Sequence, residues 1–247
     1  MAAELLDPTR IPGVMAALQH VWEAQPGVPF AQLWAQLEGL GVGFNSTDEE
    51  LQRGCEQVLA VHPASVGDAP GGHTVVIECF SPTRRLTLSL PPDASSDSSG
   101  STASHTGGTI AVHGQGLQPV VWNYARIVRC QVGFPVVIED TSGARHRLGV
   151  ATRLTVADFA MTGDQSLSGL DRAELAGAVY LVALEDGTMA QLDHRLSLFA
   201  PSRRDLQVSR LKWVSVERCE VGQPLVVATA GGSAEQLGVV RAITRAQ

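Results

Sequence analysis

Lysine is nearly absent from this 247-residue chain: Lys212 stands alone beside seventeen arginines. Arginine codons are GC-rich and lysine codons are not, so the bias points to a GC-rich bacterial genome rather than to chemistry. Cysteine is sparse as well. Cys55, Cys79, Cys130 and Cys219 lie far apart and form no C-x-x-C. A secreted disulfide framework is much denser than this, and structural zinc sites draw on close ligand pairs. Buried reduced thiols, with no metal and no cofactor, are the expectation. Long apolar runs are missing too: charges or prolines interrupt every stretch before the ~20 residues of a membrane span. The opening Met1-Ala-Ala-Glu-Leu-Leu-Asp-Pro lacks a basic segment followed by an apolar one, so no secretory leader is read there. A cytoplasmic protein without a membrane partner is expected.

Catalytic signatures are missing in the same way. No G-x-S-x-G, Walker loop, G-x-G-x-x-G or H-E-x-x-H occurs, and each of these spacings exists to place a nucleophile, a phosphate cradle or a metal. The nearest serine context, Gly163-Asp-Gln-Ser-Leu-Ser-Gly, lacks the strand–turn–helix setting that an elbow requires. The seven histidines are scattered. Asp193 and His194 are adjacent, and neighbours in a strand point to opposite faces. His105 falls in a Ser/Gly-rich stretch. Cys130 with His146 is the one pairing with nucleophilic logic, since a thiolate needs a base and an electropositive setting such as Arg129. The expectation is no catalytic residue and a protein that is not an enzyme. An active site assembled between the two β-rich copies described below remains an alternative, because catalytic residues need not be neighbours in sequence.

What the chain does contain is an ordinary globular balance, 44% apolar and 17% charged, enough to build a core. Net charge is −7, unevenly placed. Residues 1–60 hold eight acids against Arg10 and Arg53, while the remainder holds seventeen acids and sixteen bases. A module so acidic suits a protein partner rather than a phosphate backbone.

Three helices read out of residues 9–60, within a helical module at 1–63. Ile11, Val14, Met15, Leu18, Val21 and Trp22 follow a 3–4 spacing, and Pro12 sits near the start, where a missing N–H costs nothing. Phe30, Leu33, Trp34, Leu37 and Leu40 form a second stripe, ended by Gly41-Val42-Gly43. A third helix opens at Ser46 or Thr47 with Glu49 or Glu50 three residues on, a capping box, and turns Leu51, Cys55, Val58 and Leu59 inward. Three short helices ahead of β-structure also fit a winged-helix DNA reader. The outward face of the third, with Asp48, Glu49, Gln52, Arg53, Glu56 and Gln57, has the wrong charge for it.

The strongest signal is internal repetition. Residues 129–155 and 218–244 align without a gap, and 11 of 27 positions are identical, where chance would give roughly two. The matches include Arg129/Arg218, Cys130/Cys219, Gly133/Gly222, Pro135/Pro224, Gly143/Gly232 and Gly149/Gly238, and upstream Tyr124 faces Trp213. Proline before a β-branched run marks a strand start, and the glycines mark turns. The front of each copy aligns less closely, with about 16 extra residues in the first copy that fall on its Ser/Gly-rich stretch. The expected fold is therefore α+β: a helical module at 1–63, a β-rich repeat at 70–156 with a flexible insertion at 93–108, a linker at 157–177, and a second repeat at 178–247. Each repeat reads as a small antiparallel barrel-like unit.

One basic strip interrupts the second copy. Arg203, Arg204, Arg210, Lys212 and Trp213 combine cations with an aromatic, a pattern that suits an acidic protein surface or phosphates. Solvated charges that protect a strand edge would look the same. The functional expectation is a non-enzymatic binding or adaptor protein working through protein–protein contacts or self-association, with nucleic-acid binding or a transcription-related role as the alternative. The strip could also dock on the acidic helical module.

Overall fold

The computed structural model describes residues 7–92, 106–114, 117–161, 166–201 and 206–247. The insertion residues 93–105, the Gly163-Asp-Gln part of the serine context, Arg203 and Arg204 lie outside the described residues. The protein is α+β, with three helices followed by two β-sheets. None of the described helices is long and apolar enough to cross a membrane.

The helices are α1 (Ile11–Ala24), α2 (Phe30–Gly39) and α3 (Asp48–Val61). Pro12 sits in the first turn of α1. Thr47 caps α3: its hydroxyl accepts from Glu50 N, and the Glu50 carboxylate accepts from Thr47 N at 2.8 Å. Of the two capping boxes compatible with the sequence, this is the one that forms. Val21, Leu33, Leu37, Val42, Cys55 and Val58 make the helical core. Gly54 lets α3 approach closely, since a Cβ there would stand 2.8 Å from a Val42 methyl.

Strands β1 (Thr74–Phe80), β2 (Arg84–Ser89), β3 (Thr106–His113), β4 (Val120–Arg129), β5 (Pro135–Asp140) and β6 (Arg145–Ala157) form a closed barrel. Strands β7 (Tyr180–Leu184), β8 (Met189–Leu192), β9 (Leu196–Pro201), β10 (Leu206–Leu211), β11 (Trp213–Arg218), β12 (Pro224–Thr229) and β13 (Ala234–Arg245) form a seven-stranded sheet ordered β10-β9-β8-β7-β13-β12-β11. Its two outermost strands are consecutive in the chain, with Lys212 alone between them.

The C-terminal parts of the two sheets share one register. Pro135 pairs with Val150 and Ile138 with His146; Pro224 pairs with Val239 and Val227 with Glu235, each 89 residues later. Bulges recur at the same places, between Tyr124/Arg126 and Trp213/Ser215. Strands β5 and β12 also alternate buried and half-buried positions in the same sequence. Gly133 and Gly222 both hold φ of +82°, a region that favours glycine.

By internal contacts the chain forms two compact units. The first takes the described residues of Met1–Thr83, Leu90–Gly108 and Tyr124–Asp158. The second takes Arg84–Ser89, Thr109–Asn123 and Phe159–Gln247. In the first unit, Val75, Ile77, Tyr124, Val136, Ile138 and Leu154 are buried. His62, at the end of α3, ties the helices to β6: its Nδ1 lies 3.2 Å from the Leu154 carbonyl, and Arg153 Nη2 stands 2.8 Å from Nε2. Burial, reinforced by Arg153, lowers the His62 pKa below the ordinary value. In the second unit, Trp213, Val216, Leu225, Val227 and Leu192 centre one core. Ala111, Met161, Val179, Leu181 and Ala246 form another cluster. Part of the segment read as linker belongs to the first of these cores. Leu167 and Leu175 are buried in it, and Leu167 N donates to Cys219 O at 3.0 Å. A short helical turn forms there at Arg172–Leu175, with Asp171 accepting from Ala173 N.

Candidate functional site

Trp213, Lys212 and Arg210 follow one another in the chain, yet the structure gives them different roles. Trp213 is fully buried, and its Nε1 donates to the Asp193 carbonyl at 3.0 Å. It braces the core and presents no surface to a partner. The signal for this was in the alignment: a large ring at the same place in both copies marks an interior position. Lys212 lies in the link between β10 and β11, and its carbonyl accepts from Ala230 N. Arg210 is exposed on β10.

Arg210 opens onto a cleft of about 430 Å³ lined from strands β8, β9 and β10, with Gly114 at its rim. The cleft is built across strands. Ser197 on β9 pairs with Gln191 on β8 and with Arg210 on β10, and one rung further Phe199 pairs with Val208. The two-residue alternation puts Arg195, Ser197 and Phe199 on this face, while Leu196 and Leu198 turn toward the core. Phe199 and Val208 supply an apolar floor. At the β8–β9 turn the Asp193 carboxylate accepts from Gln191 Nε2 at 2.8 Å and from Arg195 N at 2.7 Å, which locks the turn. Asp193 is thereby spoken for. Arg195 and Arg210 are both exposed, and among the described residues neither has a carboxylate partner. The site's chemistry is thus two exposed guanidiniums beside an apolar floor, with a hydroxyl and an amide between them. Arg195 was not singled out by sequence, because the basic strip was read along the chain rather than across the sheet.

The thiol pairing does not assemble. Cys130 is buried, and burial pushes its thiol pKa well up, with Cys79 adding to the effect. His146 instead faces Asp140, Nε2 to Oδ2 at 2.7 Å. Hydrogen bonds from the Ser142 hydroxyl and from His146 hold the Asp140 carboxyl well below the usual range. Burial likewise raises the Cys219 thiol to about 12. Such thiols are poor nucleophiles near neutrality. His194 is exposed at the β8–β9 turn, and Asp193 is engaged elsewhere. No group of three or more His, Cys, Asp or Glu among the described residues is placed to hold a metal ion.

No family model, no curated protein and no solved structure matches this chain.

Proposed function

We propose that the chain is a non-enzymatic binding protein whose second sheet takes an acidic segment of a partner protein in the β8–β10 cleft. The observation that carries this reading is the exposed pair Arg195 and Arg210, without carboxylate partners among the described residues, in a cleft that Phe199 and Val208 also line. A guanidinium binds a carboxylate through two parallel N–H bonds, and the apolar floor favours a peptide that alternates acidic and apolar side chains. Among the described residues strand β10 pairs with β9 only, so an extended segment can add alongside residues 207–211 by backbone hydrogen bonding. On this reading the seven-stranded sheet is a second copy of the β-rich unit that leaves edges at β10 and β11, and the shared registers support that view.

The test is fluorescence anisotropy on the full chain with a labelled Glu/Val-alternating peptide and, separately, a single-stranded oligonucleotide. Saturable binding of the peptide, weakened about tenfold or more by Arg195→Glu or Arg210→Glu, is expected; tenfold corresponds to about 1.4 kcal/mol. Binding of the oligonucleotide alone would replace this reading by a nucleic-acid one. Failure of both ligands to bind would overturn it.

A further inference from the structure

Helix α1 carries more apolar surface than its core uses. Val21 and Ala24 are buried, with Ala17 beside them. Ile11, Met15 and Trp22 lie roughly 120° further round the helix, at ~100° per residue. They are 50%, 57% and 43% exposed. All six apolar positions of α1 obey one 3–4 periodicity, so the sequence alone assigns them to one inward face. The structure buries Val21, half-buries Val14 and Leu18, and leaves Ile11, Met15 and Trp22 exposed.

The exposed line continues onto α2. Phe30, 43% exposed, stands 5.3 Å from the Trp22 ring and 6.4 Å from Trp34, centroid to centroid. These rings are held in place. Trp22 Nε1 donates to the Val28 carbonyl at 2.9 Å, and Trp34 Nε1 donates to Glu38 Oε1 at 3.0 Å. The result is a pre-organised aromatic ridge of the kind that anchors interfaces, because little side-chain freedom remains to be lost on binding. A contiguous apolar patch of this sort on a water-exposed helix pair marks an interaction surface.

Charge identifies the occupant. Glu23 and Glu38 flank the ridge. Among the described residues their only recorded side-chain partners are Gln19 and Trp34, both uncharged. The module as a whole is acidic. A second copy meeting this face by two-fold symmetry would bring the same carboxylates together, which disfavours self-pairing.

We propose that the α1–α2 ridge of Ile11, Met15, Leu18, Trp22, Phe30 and Trp34 docks a basic amphipathic helix of a partner protein. The partner's apolar stripe lies along the ridge, and its flanking lysines or arginines meet Glu23 and Glu38. This surface shares no residue with the arginine cleft and is of opposite charge, so each is tested by its own substitutions.

The experiment titrates the full chain with three synthetic peptides of equal length. One is a Leu/Lys amphipathic helix, the second is the same composition scrambled, and the third is the helix with every Lys replaced by Glu. Backbone NMR shifts report the binding site. The Leu/Lys helix is expected to bind saturably with shifts centred on residues 11–38, and the other two to bind at least tenfold more weakly. Met15→Glu and Phe30→Ser, both at exposed positions, should each weaken binding about tenfold or more with unchanged circular dichroism. Glu23→Lys with Glu38→Lys should do the same, while Arg210→Glu leaves it intact. Equal binding of the scrambled peptide, no binding of the Leu/Lys helix, or indifference to Met15→Glu would overturn the proposal. A dimer that Met15→Glu converts to monomer would replace it by self-association.

Discussion

Tyr124 and Trp213 occupy the same position in the two sheets. Each is fully buried, each pairs with the last residue of the following strand (Asp140 and Thr229), and each is followed at once by a bulge. The Trp213 ring does more than fill space. Its Nε1 holds the Asp193 carbonyl and so fixes the turn from which Asp193 and Arg195 reach the cleft. Trp213→Ala should cost about 3–5 kcal/mol by opening a large cavity. Trp213→Phe keeps most of the packing and loses the hydrogen bond, at about 1–2 kcal/mol. Urea denaturation followed by circular dichroism measures both. Because Trp213→Phe frees the Asp193 turn, it should also weaken acidic-peptide binding several-fold. Unchanged affinity would separate the turn from the cleft.

Gly149 and Gly238 align in the repeat but carry different constraints. Gly149 has φ of +100°, and a Cβ there would stand 3.1 Å from both the Phe80 carbonyl oxygen and Cys79 Cβ. Backbone atoms cannot yield as side chains do. At Gly238 the φ is ordinary, and the nearest atoms belong to the Leu184 side chain, at 3.2 and 3.3 Å. Gly149→Ala should therefore cost about 2–4 kcal/mol, as strain and overpacking add, and Gly238→Ala about 1 kcal/mol. Comparing the two urea midpoints checks the difference. Equal effects would mean that the clash at Gly149 is relieved by movement of β1.

These glycines show why the repeat was legible in the sequence. Turns, bulges and close approaches demand particular residues, so Pro135/Pro224, Gly133/Gly222 and Gly143/Gly232 stand out when two copies are aligned, and the strand registers match. The capping box of α3 was legible for the same local reason. The ridge on α1 was not, because periodicity records which residues share a side of a helix and not how much of that side is covered. Nor was the cleft, since Ser197 meets Arg210 only through strand pairing, and Arg195 is brought in by a turn. Trp213 was misplaced by reading it with its basic neighbours, when the period of two puts neighbours on opposite faces.

All four cysteines are buried, and burial raises the thiols of Cys55, Cys130 and Cys219 above the ordinary value. Reaction with a thiolate-selective disulfide reagent requires both access and ionisation. The native protein at pH 8 should therefore release no fast-reacting thiol, and four should appear in denaturant. Cys130→Ser should leave ligand binding unchanged. A single fast thiol in the native state would show that one of these sites opens readily.

His113 gives the second unit a pH-dependent stability. It is 6% exposed, its imidazole hydrogen-bonds the Ala246 carbonyl, and among the described residues Nε2 has no partner. Burial, reinforced by the nearby Arg85 guanidinium, lowers its pKa from 6.5 to about 4, with the Ala246 carbonyl and Asp193 opposing the shift. The native state thus prefers the neutral ring. The stability this confers is fully present above pH 6.5 and is lost as pH falls from 6.5 through about 4; a shift of that size is worth about 3 kcal/mol. His62, lowered in the same direction, adds to the acid sensitivity, so the contribution of His113 must be isolated by substitution. His113→Phe keeps an aromatic ring of similar size, removes the titration, and leaves the Ala246 carbonyl with its bond from Thr87 Oγ1. Urea midpoints measured at pH 7, 5.5 and 4.5 should fall more gently in this variant than in the parent chain. The two curves should diverge as the pH falls below 6.5. If instead they run parallel across that range, His113 is either already protonated in the native state or exposed to solvent there, and the acid sensitivity of the fold rests on His62 and the carboxylates.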